Sequence, residues 1–424
     1  MKVELEIDIE KIGARGDGIG TLEDGRRLYV PFTAPGDRVR ARLGQPRPDG
    51  FAGRVTAILA EGPGRGEPLC RHFGHCGGCA LQHLSADHYR HWKLALLGEA
   101  LTRQGVAVRE IRNLKVLPAG SRRRAEFSAM RRKHDVVLGL NARLSHQVID
   151  LVECPVLIPE IVALVAPLRE LLSGLLDPAN AAEVAVLKSD SGLDLLLATG
   201  AQFGLKRRES LAAFAEAHDL ARIARKHPRS RGTETILERR PVRMRFGDIA
   251  VGIPPGAFLQ ASSEGETALR LAVEEGVGPA SRVADLYAGC GTFAFALAAA
   301  GRTVHAVEGD GDMVEAMAVA VGAYPRLRVT ALRRDLDRRP LAPDELRPCE
   351  AVVFDPPRAG ARAQAEMLAR SGVARVVAVS CNPATFARDA RTLIDGGFTL
   401  DWIQPVDQFL WSPHLELVAT FSRK

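Results

Sequence analysis

From about residue 262 onward, short apolar runs alternate with segments of helical periodicity, and this alternation constrains the fold more than any other feature of the chain. ETALRLAVEEGV reads as a helix and RVADLYA as a buried strand. FAFALAAAG (helix), TVHAVEG (strand) and DMVEAMAVAVGA (helix) follow, and LRVTAL, EAVVFD and RVVAVS supply further strands. Strands that are apolar on both faces and alternate with helices predict a doubly wound, mostly parallel α/β sheet. In such sheets ligands bind beyond the carboxyl ends of the strands. Four consecutive strands run into an acid there: Asp285, Glu308, Asp335 and Asp355. Any one of them could be a solvated cap, but four in register predict a site.

The turn in DLYAGCGTF sharpens this expectation. Gly289 and Gly291 open a passage from strand to helix, where the backbone can approach a ligand and free N–H groups are presented. Taken alone, a G-x-G is also what a tight strand-to-helix turn requires. No third glycine stands at the usual place, so a dinucleotide fold is disfavoured. Glu308, about 20 residues on, occupies the place of a ribose-binding acid.

RVVAVSCNPATFARD places Cys381 between a buried strand and a helix that Asn382 and Pro383 are suited to start. A thiol at a helix N-terminus is expected to have a lowered pKa and to act as a nucleophile, although a cysteine of this size is most often plain core. In SPHLELVATF, His414 and Glu416 stand two apart at the start of an apolar strand, so alternation would put them on one face. Glu416 is thereby a candidate general base.

The N-terminal half has a different texture. VELEIDI, RLYVPF and AGRVTAIL read as strands, with GARGDGIG and PRPDG as turn clusters, which suits a small OB-type β-barrel over residues 1–62. The connector EGPGRGEP leads into Cys70, Cys76 and Cys79. A middle segment, 63–255, is mixed α+β, with helices expected over 86–104 and near 159–175 and 206–220, and strands in SRRRAEFSAMRR, VVLGLNA and QVIDLVECPVL. The α/β domain takes 256–424.

Seven cysteines without an export signal argue against a disulfide framework and for metal or catalytic use. Spacing alone admits zinc or an iron–sulfur centre, and His72, His75 and His83 would even permit mixed ligation. Hydrophobic residues make up 46% and no apolar run could span a bilayer, so a cytoplasmic chain without membrane attachment is expected. The net charge of +6 is mild, but Arg122, Arg123 and Arg124, followed by Arg131, Arg132 and Lys133, form runs suited to phosphate contact. A solvated face would look the same.

DLYAGCGTF, DPPRAG, SCNPATFARD and the terminal His414-x-Glu416 together resemble the RNA uracil-5-methyltransferases, and over nearly the whole chain the branch that acts on 23S rRNA. That branch carries an N-terminal TRAM domain and an iron–sulfur cluster. The resemblance implies a Rossmann-like class I methyltransferase domain and S-adenosylmethionine as methyl donor. It implies a target uracil flipped from its stack, Cys381 as the nucleophile that adds to C6, and Glu416 as the base that removes the C5 proton. It assigns Gln260, Tyr287, Thr292, Glu308, Asp335 and Asp355 to the cofactor site. It assigns Cys70, Cys76, Cys79 and Cys154 to a [4Fe–4S] cluster. Ala288 stands where many members carry cysteine, and Thr292 where Asn is frequent. The implied partner is RNA, 23S rRNA before tRNA, and the expected form is a monomer without an obligate protein partner. Two rivals remain at this point: a methyltransferase of exocyclic amines, which shares Asp-Pro-Pro but needs no thiol, and a non-catalytic RNA-binding iron–sulfur protein.

Overall fold

The computed structural model describes residues 4–178, 180–230 and 232–423. The first six strands, Glu4–Asp8, Lys11–Ile12, Asp17–Thr21, Arg27–Pro31, Arg38–Arg47 and Gly50–Ala60, form one sheet. Alternation turns Ile7, Leu28, Val30, Val39 and Ala41 into a small core. On the outer face Arg38, Arg40 and Arg42 pair across the strands with Glu4 and Glu6. GARGDGIG was expected to be a turn throughout, yet Asp17–Thr21 is a strand. Its glycines serve close approach: a Cβ on Gly20 would lie 2.5 Å from the Asp8 carbonyl oxygen.

Beyond the cysteine-bearing loop comes helix α1 (Ala86–Arg103), as expected. A seven-stranded sheet follows, built from Arg124–Arg131, Val136–Asn141, Val148–Asp150, Ala181–Ser189, Gly192–Ala198, Leu220–Lys226 and Thr233–Glu238. The helices Pro159–Leu175 and Leu205–Ala217 bury their apolar faces on it. The strand expected over QVIDLVECPVL shrinks to Val148–Asp150. Past it, the Pro155 and Val156 carbonyls accept from the Gly120 and Arg122 amides, which draws the chain out of the sheet. The four strands between 181 and 238 were not foreseen.

The last sheet contains β1 (Arg282–Leu286), β2 (Thr303–Glu308), β3 (Val329–Arg333), β4 (Ala351–Phe354), β5 (Arg375–Ser380), β6 (Thr399–Asp407) and β7 (Glu416–Ser422). Their order is 3-2-1-4-5-7-6; β1 to β5 are parallel and β7 is antiparallel between β5 and β6. Glu110–Ile111 and Lys115–Val116 pair with β6 at the edge. Helices α2 (Ser263–Val277), α3 (Thr292–Ala299), α4 (Gly311–Ala323) and α5 (Pro383–Asp395) cover the faces. Local chemistry starts three of them: Ser262, Asp310 and Asn382 cap α2, α4 and α5 with side-chain oxygens, and Pro383 takes the first turn of α5. The strand order reverses between β1 and β4, which opens a crevice at their carboxyl ends. Among the described residues no helix is long and apolar enough to cross a membrane.

Candidate active site

The crevice is lined with acids whose environments differ. Asp285, inside β1, is fully buried, and neither carboxylate oxygen has a hydrogen-bond partner. Burial first, then Asp355 and Glu308, push its pKa well above the ordinary range; the Ala294 amide opposes this without reaching hydrogen-bond geometry. An unpaired buried carboxyl at a strand end is a group prepared for a polar ligand. After it the chain turns sharply, with Tyr287 at φ 60°, Gly289 at φ 57° and Gly291 at φ 91°. Side-chain space over Gly289 is open. Thr292 begins α3 at this turn. Glu308 closes it: one oxygen accepts from the Gly289 amide at 2.9 Å, the other from Gly309 and Asp310 at 2.7 and 2.9 Å.

Asp335 is placed differently from the other acids. It is exposed, and it caps its own turn by accepting from the amides of Asp337 and Arg338. That turn brings Asp337, which sequence reasoning passed over, to the Tyr287 hydroxyl at 3.0 Å.

On the far side of the crevice Asp355, Gln260, Gln408 and Glu416 form a continuous chain. Gln260 Nε2 donates to Asp355 at 3.1 Å, and Gln408 Nε2 donates to Gln260 Oε1 and to Glu416 Oε2, both at 2.8 Å. Glu416 is only 3% exposed. Burial and then Asp355 raise its pKa to about 8, against the Gln408 hydrogen bond that lowers it. Asp355 is raised by burial, again opposed by its amide partner. Cys381 sits where expected, between β5 and α5. Its thiol is nevertheless pushed up to about 12, by burial first and then by Glu416 and Asp355; Arg358 works the other way. The expectation of a thiol acidified by the helix N-terminus is therefore corrected: desolvation and two carboxylates outweigh it.

His414 does not share the fate of Glu416. The strand starts at Glu416, leaving His414 in the preceding loop, where it faces a cavity of about 730 Å³. That loop is fastened from several directions. Lys93 of α1, fully buried, donates to Asp407 at 2.8 Å and to the carbonyls of Phe409 and His414. Tyr89 donates to Asp407 at 2.5 Å and accepts from the Trp411 amide at 2.8 Å.

Cys70, Cys76, Cys79 and Cys154 line the same cavity as His414, and all are free thiols. Burial, reinforced by the neighbouring cysteines, raises the pKa of Cys79 to about 12, and it also raises Cys70 and Cys76. The stretch before Cys154 is joined to the Cys70 loop, since Glu153 accepts from the Arg71 amide at 2.7 Å and His72 from the Val152 amide at 3.2 Å. Among the described residues, no group of three or more His, Cys, Asp or Glu side chains could hold a metal ion. The thiols stand around a space rather than converging on a point.

The arginine run divides. Arg123 is buried and paired with Glu266 at 2.6 Å, and it donates to the Gln260 carbonyl, so it is structural and not available to phosphate. Arg122 and Arg124 line the cavity, stacked near Phe409 and over Phe258 at 5.9 and 4.7 Å. Phe258, 52% exposed, is an aromatic at this face that the sequence reading did not single out.

Residues 340–424 match the family model of tRNA (uracil-5-)-methyltransferases, and residues 3–48 match that of the TRAM domain. A protein of Brucella suis named as an uncharacterized RNA methyltransferase is 43% identical over 99% of this chain and 98% of its own length. The 23S rRNA (uracil(1939)-C(5))-methyltransferase RlmD of Halomonas elongata is 35% identical over 97% of this chain and 88% of its own. In fold, the chain is similar to the tRNA (uracil-54, C5)-methyltransferase of Pyrococcus abyssi, crystallised with S-adenosyl-L-homocysteine. The TM-score is 0.73 at 24% identity, over 98% of this chain and 100% of the other.

Proposed function

Because the chain belongs to the RNA uracil-5-methyltransferases, S-adenosylmethionine-dependent enzymes, we propose that it methylates C5 of a uridine in 23S rRNA through a covalent Cys381 adduct, with Glu416 as the base. The observation that carries this reading is the meeting of Cys381, Asp355 and Glu416 at one strand edge, close enough for the carboxylates to raise the thiol. A thiol is superfluous for methylation of an exocyclic amine, and a base beside it is superfluous for a protein that only binds RNA. The choice of 23S rRNA follows the Halomonas relative; tRNA is the alternative named for the Pyrococcus enzyme.

The site residues fit the cofactor. The unpaired Asp285 carboxyl and the open space over Gly289 suit a polar ligand lying across the turn, and Gln260, Tyr287, Thr292, Glu308, Asp335 and Asp355 would hold it. S-adenosylmethionine, when bound, supplies an electrophilic methyl group and a positive sulfonium. Uracil C5 is too weak a nucleophile unaided. Cys381 gives up its proton to solvent and its sulfur bonds to C6; the C5–C6 π pair then resides on C5 and O4. C5 takes the methyl group with that pair, and the donor's sulfur–methyl bond would break with its electrons left on sulfur as a neutral thioether. Glu416 removes the C5 proton, the C–H electron pair restores the C5–C6 double bond, and the Cys381–C6 bond breaks with its electrons returning to sulfur. Arg358, which favours the thiolate, assists the first step.

Four thiols around one cavity also fit an iron–sulfur cluster, with Cys70, Cys76, Cys79 and Cys154 as its ligands. Cys381→Ala is expected to abolish methylation, and Glu416→Gln to accumulate a protein–RNA adduct visible as a retarded band on a denaturing gel. A fully active Cys381→Ala enzyme would end this reading. Mapping of 5-methyluridine in rRNA and tRNA from a strain lacking the protein identifies the RNA.

A further inference from the structure

The chain from Asp355 to Glu416 is more than a way of filling polar space. Both Nε2 hydrogens of Gln408 point at acceptors, Gln260 Oε1 and Glu416 Oε2, and Gln260 in turn spends its own N–H on Asp355. Gln408 Oε1, by contrast, is buried with no partner. A reversed amide would set that oxygen against Gln260 Oε1 and Glu416 Oε2, three acceptors together. The orientation is therefore fixed while Glu416 is ionised, at the cost of one unsatisfied carbonyl. Room for that carbonyl comes from Gly265 in the first turn of α2: a Cβ there would lie 2.7 Å from Gln408 Oε1. Glycine is disfavoured inside a helix, and here its missing Cβ leaves room both for Gln408 Oε1 and for the Ser262 hydroxyl that caps α2, which a Cβ would meet at 2.8 Å. Both amides of the chain are anchored. Gln408 directly follows Asp407, which Lys93 holds, and Arg123 donates to the Gln260 carbonyl.

We propose that Gln408 is a positioning residue for proton abstraction: through Gln260 it couples Glu416 to Asp355, and it eases the ionisation of Glu416 to the carboxylate that takes the C5 proton. The proposal rests on the assignment of Glu416 as base. The other titratable groups around the pair are Asp285 on β1, Cys381 after β5, Asp407 on β6 paired to Lys93, and Glu266 on α2 paired to Arg123; His414 and Arg358 lie toward the cavity. Against that largely acidic ring, the Gln408 hydrogen bond is what favours the ionised base.

Gln408→Met keeps the length of the side chain and removes both donors. It is expected to lower turnover about tenfold at neutral pH, for a shift of about one pH unit in the ionisation of the base. The lost rate should return as pH is raised, with KM for RNA unchanged. The variant should also accumulate the protein–RNA adduct, because the adduct forms before the base acts. Calorimetric binding of S-adenosylmethionine checks that the variant is folded. If Gln408→Met shows the parent's pH profile and no adduct while Glu416→Gln accumulates one, Gln408 has no such role. The same holds if its rate is depressed equally at every pH. If Glu416→Gln itself gives no adduct, the base assignment fails, and the coupling with it.

Discussion

At the scale of single residues the site is governed by charge held out of water. Cys381, Asp355 and Glu416 all have raised pKa values, and each is raised first by burial. Glu416 has the plainest consequence. Its folded value is about 8 against an ordinary 4.5, so between these values the folded chain keeps a proton that the unfolded chain has released. Stability contributed by the protonated form is whole below the ordinary value and is lost as pH rises through the folded one. Glu416→Gln, which cannot ionise, is expected to match the parent's Tm in mild acid and to exceed it increasingly up to mildly alkaline pH. A Tm difference that stays constant across that range would show that Glu416 ionises in the fold as readily as in water. The residues that meet at the candidate site were legible as a group because their positions are local: a thiol after a strand, acids at strand ends, a glutamate entering a strand. Gln408 was not legible, because its partners are Gln260 and Glu416, and only the folded sheet brings the three together. Arg123 was misread for the same reason; its place in an arginine run hid a partner on α2.

At the scale of elements, the loop between β6 and β7 is the part that had to be built. It carries Gln408 and His414 and delivers Glu416, yet it contains no helix or strand of its own. α1 replaces that missing regularity, through Lys93 and Tyr89. A buried ion pair adds little net stability over an apolar pair, but breaking it from one side costs roughly 3–5 kcal/mol. Lys93→Met and Asp407→Asn are each expected to destabilise the protein by about that amount in urea titrations. A double variant, Lys93→Met with Asp407→Leu, should regain most of the stability. It should not regain turnover, because Lys93 also holds the His414 carbonyl, whereas the Phe409 carbonyl keeps the Ser412 hydroxyl and amide. A double variant with parental turnover would show that the loop holds its shape without α1. Sequence periodicity found α1 itself, but it could not tell that a lysine in HYRHWKLALL points inward. The C-terminal elements were found because their apolar runs are long and regular. In the middle sheet the strands from 181 to 238 read as a mixed pattern, their alternation broken by half-buried positions.

At the scale of the whole molecule, the cysteine loop is where the three main sheets are tied to one another. His83 meets the Thr33 carbonyl of the first sheet at 3.0 Å, and Phe73 packs edge-on against Phe32. Gly77 donates to the Asn141 carbonyl of the middle sheet at 2.9 Å. Ala80 and Leu81 donate to the Trp411 carbonyl of the loop between β6 and β7 at 2.8 and 3.1 Å. So short a glycine-rich loop has only a small core, Ala80, Leu81 and Leu84 against Tyr89 and Trp92, and four half-buried thiols add little to it. A cluster bound by Cys70, Cys76, Cys79 and Cys154 would cross-link the loop to the edge of the middle sheet and stiffen all three attachments. Protein purified without oxygen is then expected to carry iron and acid-labile sulfide in equal amounts, and Cys154→Ala to lose both. The same variant should become sensitive to proteolysis between residues 70 and 84, even in assays that contain no RNA or S-adenosylmethionine. Bound zinc without sulfide in the parent protein would replace the cluster by a single ion. Undiminished iron in Cys154→Ala would remove Cys154 from the ligand set and leave the loop tied to the middle sheet by hydrogen bonds alone.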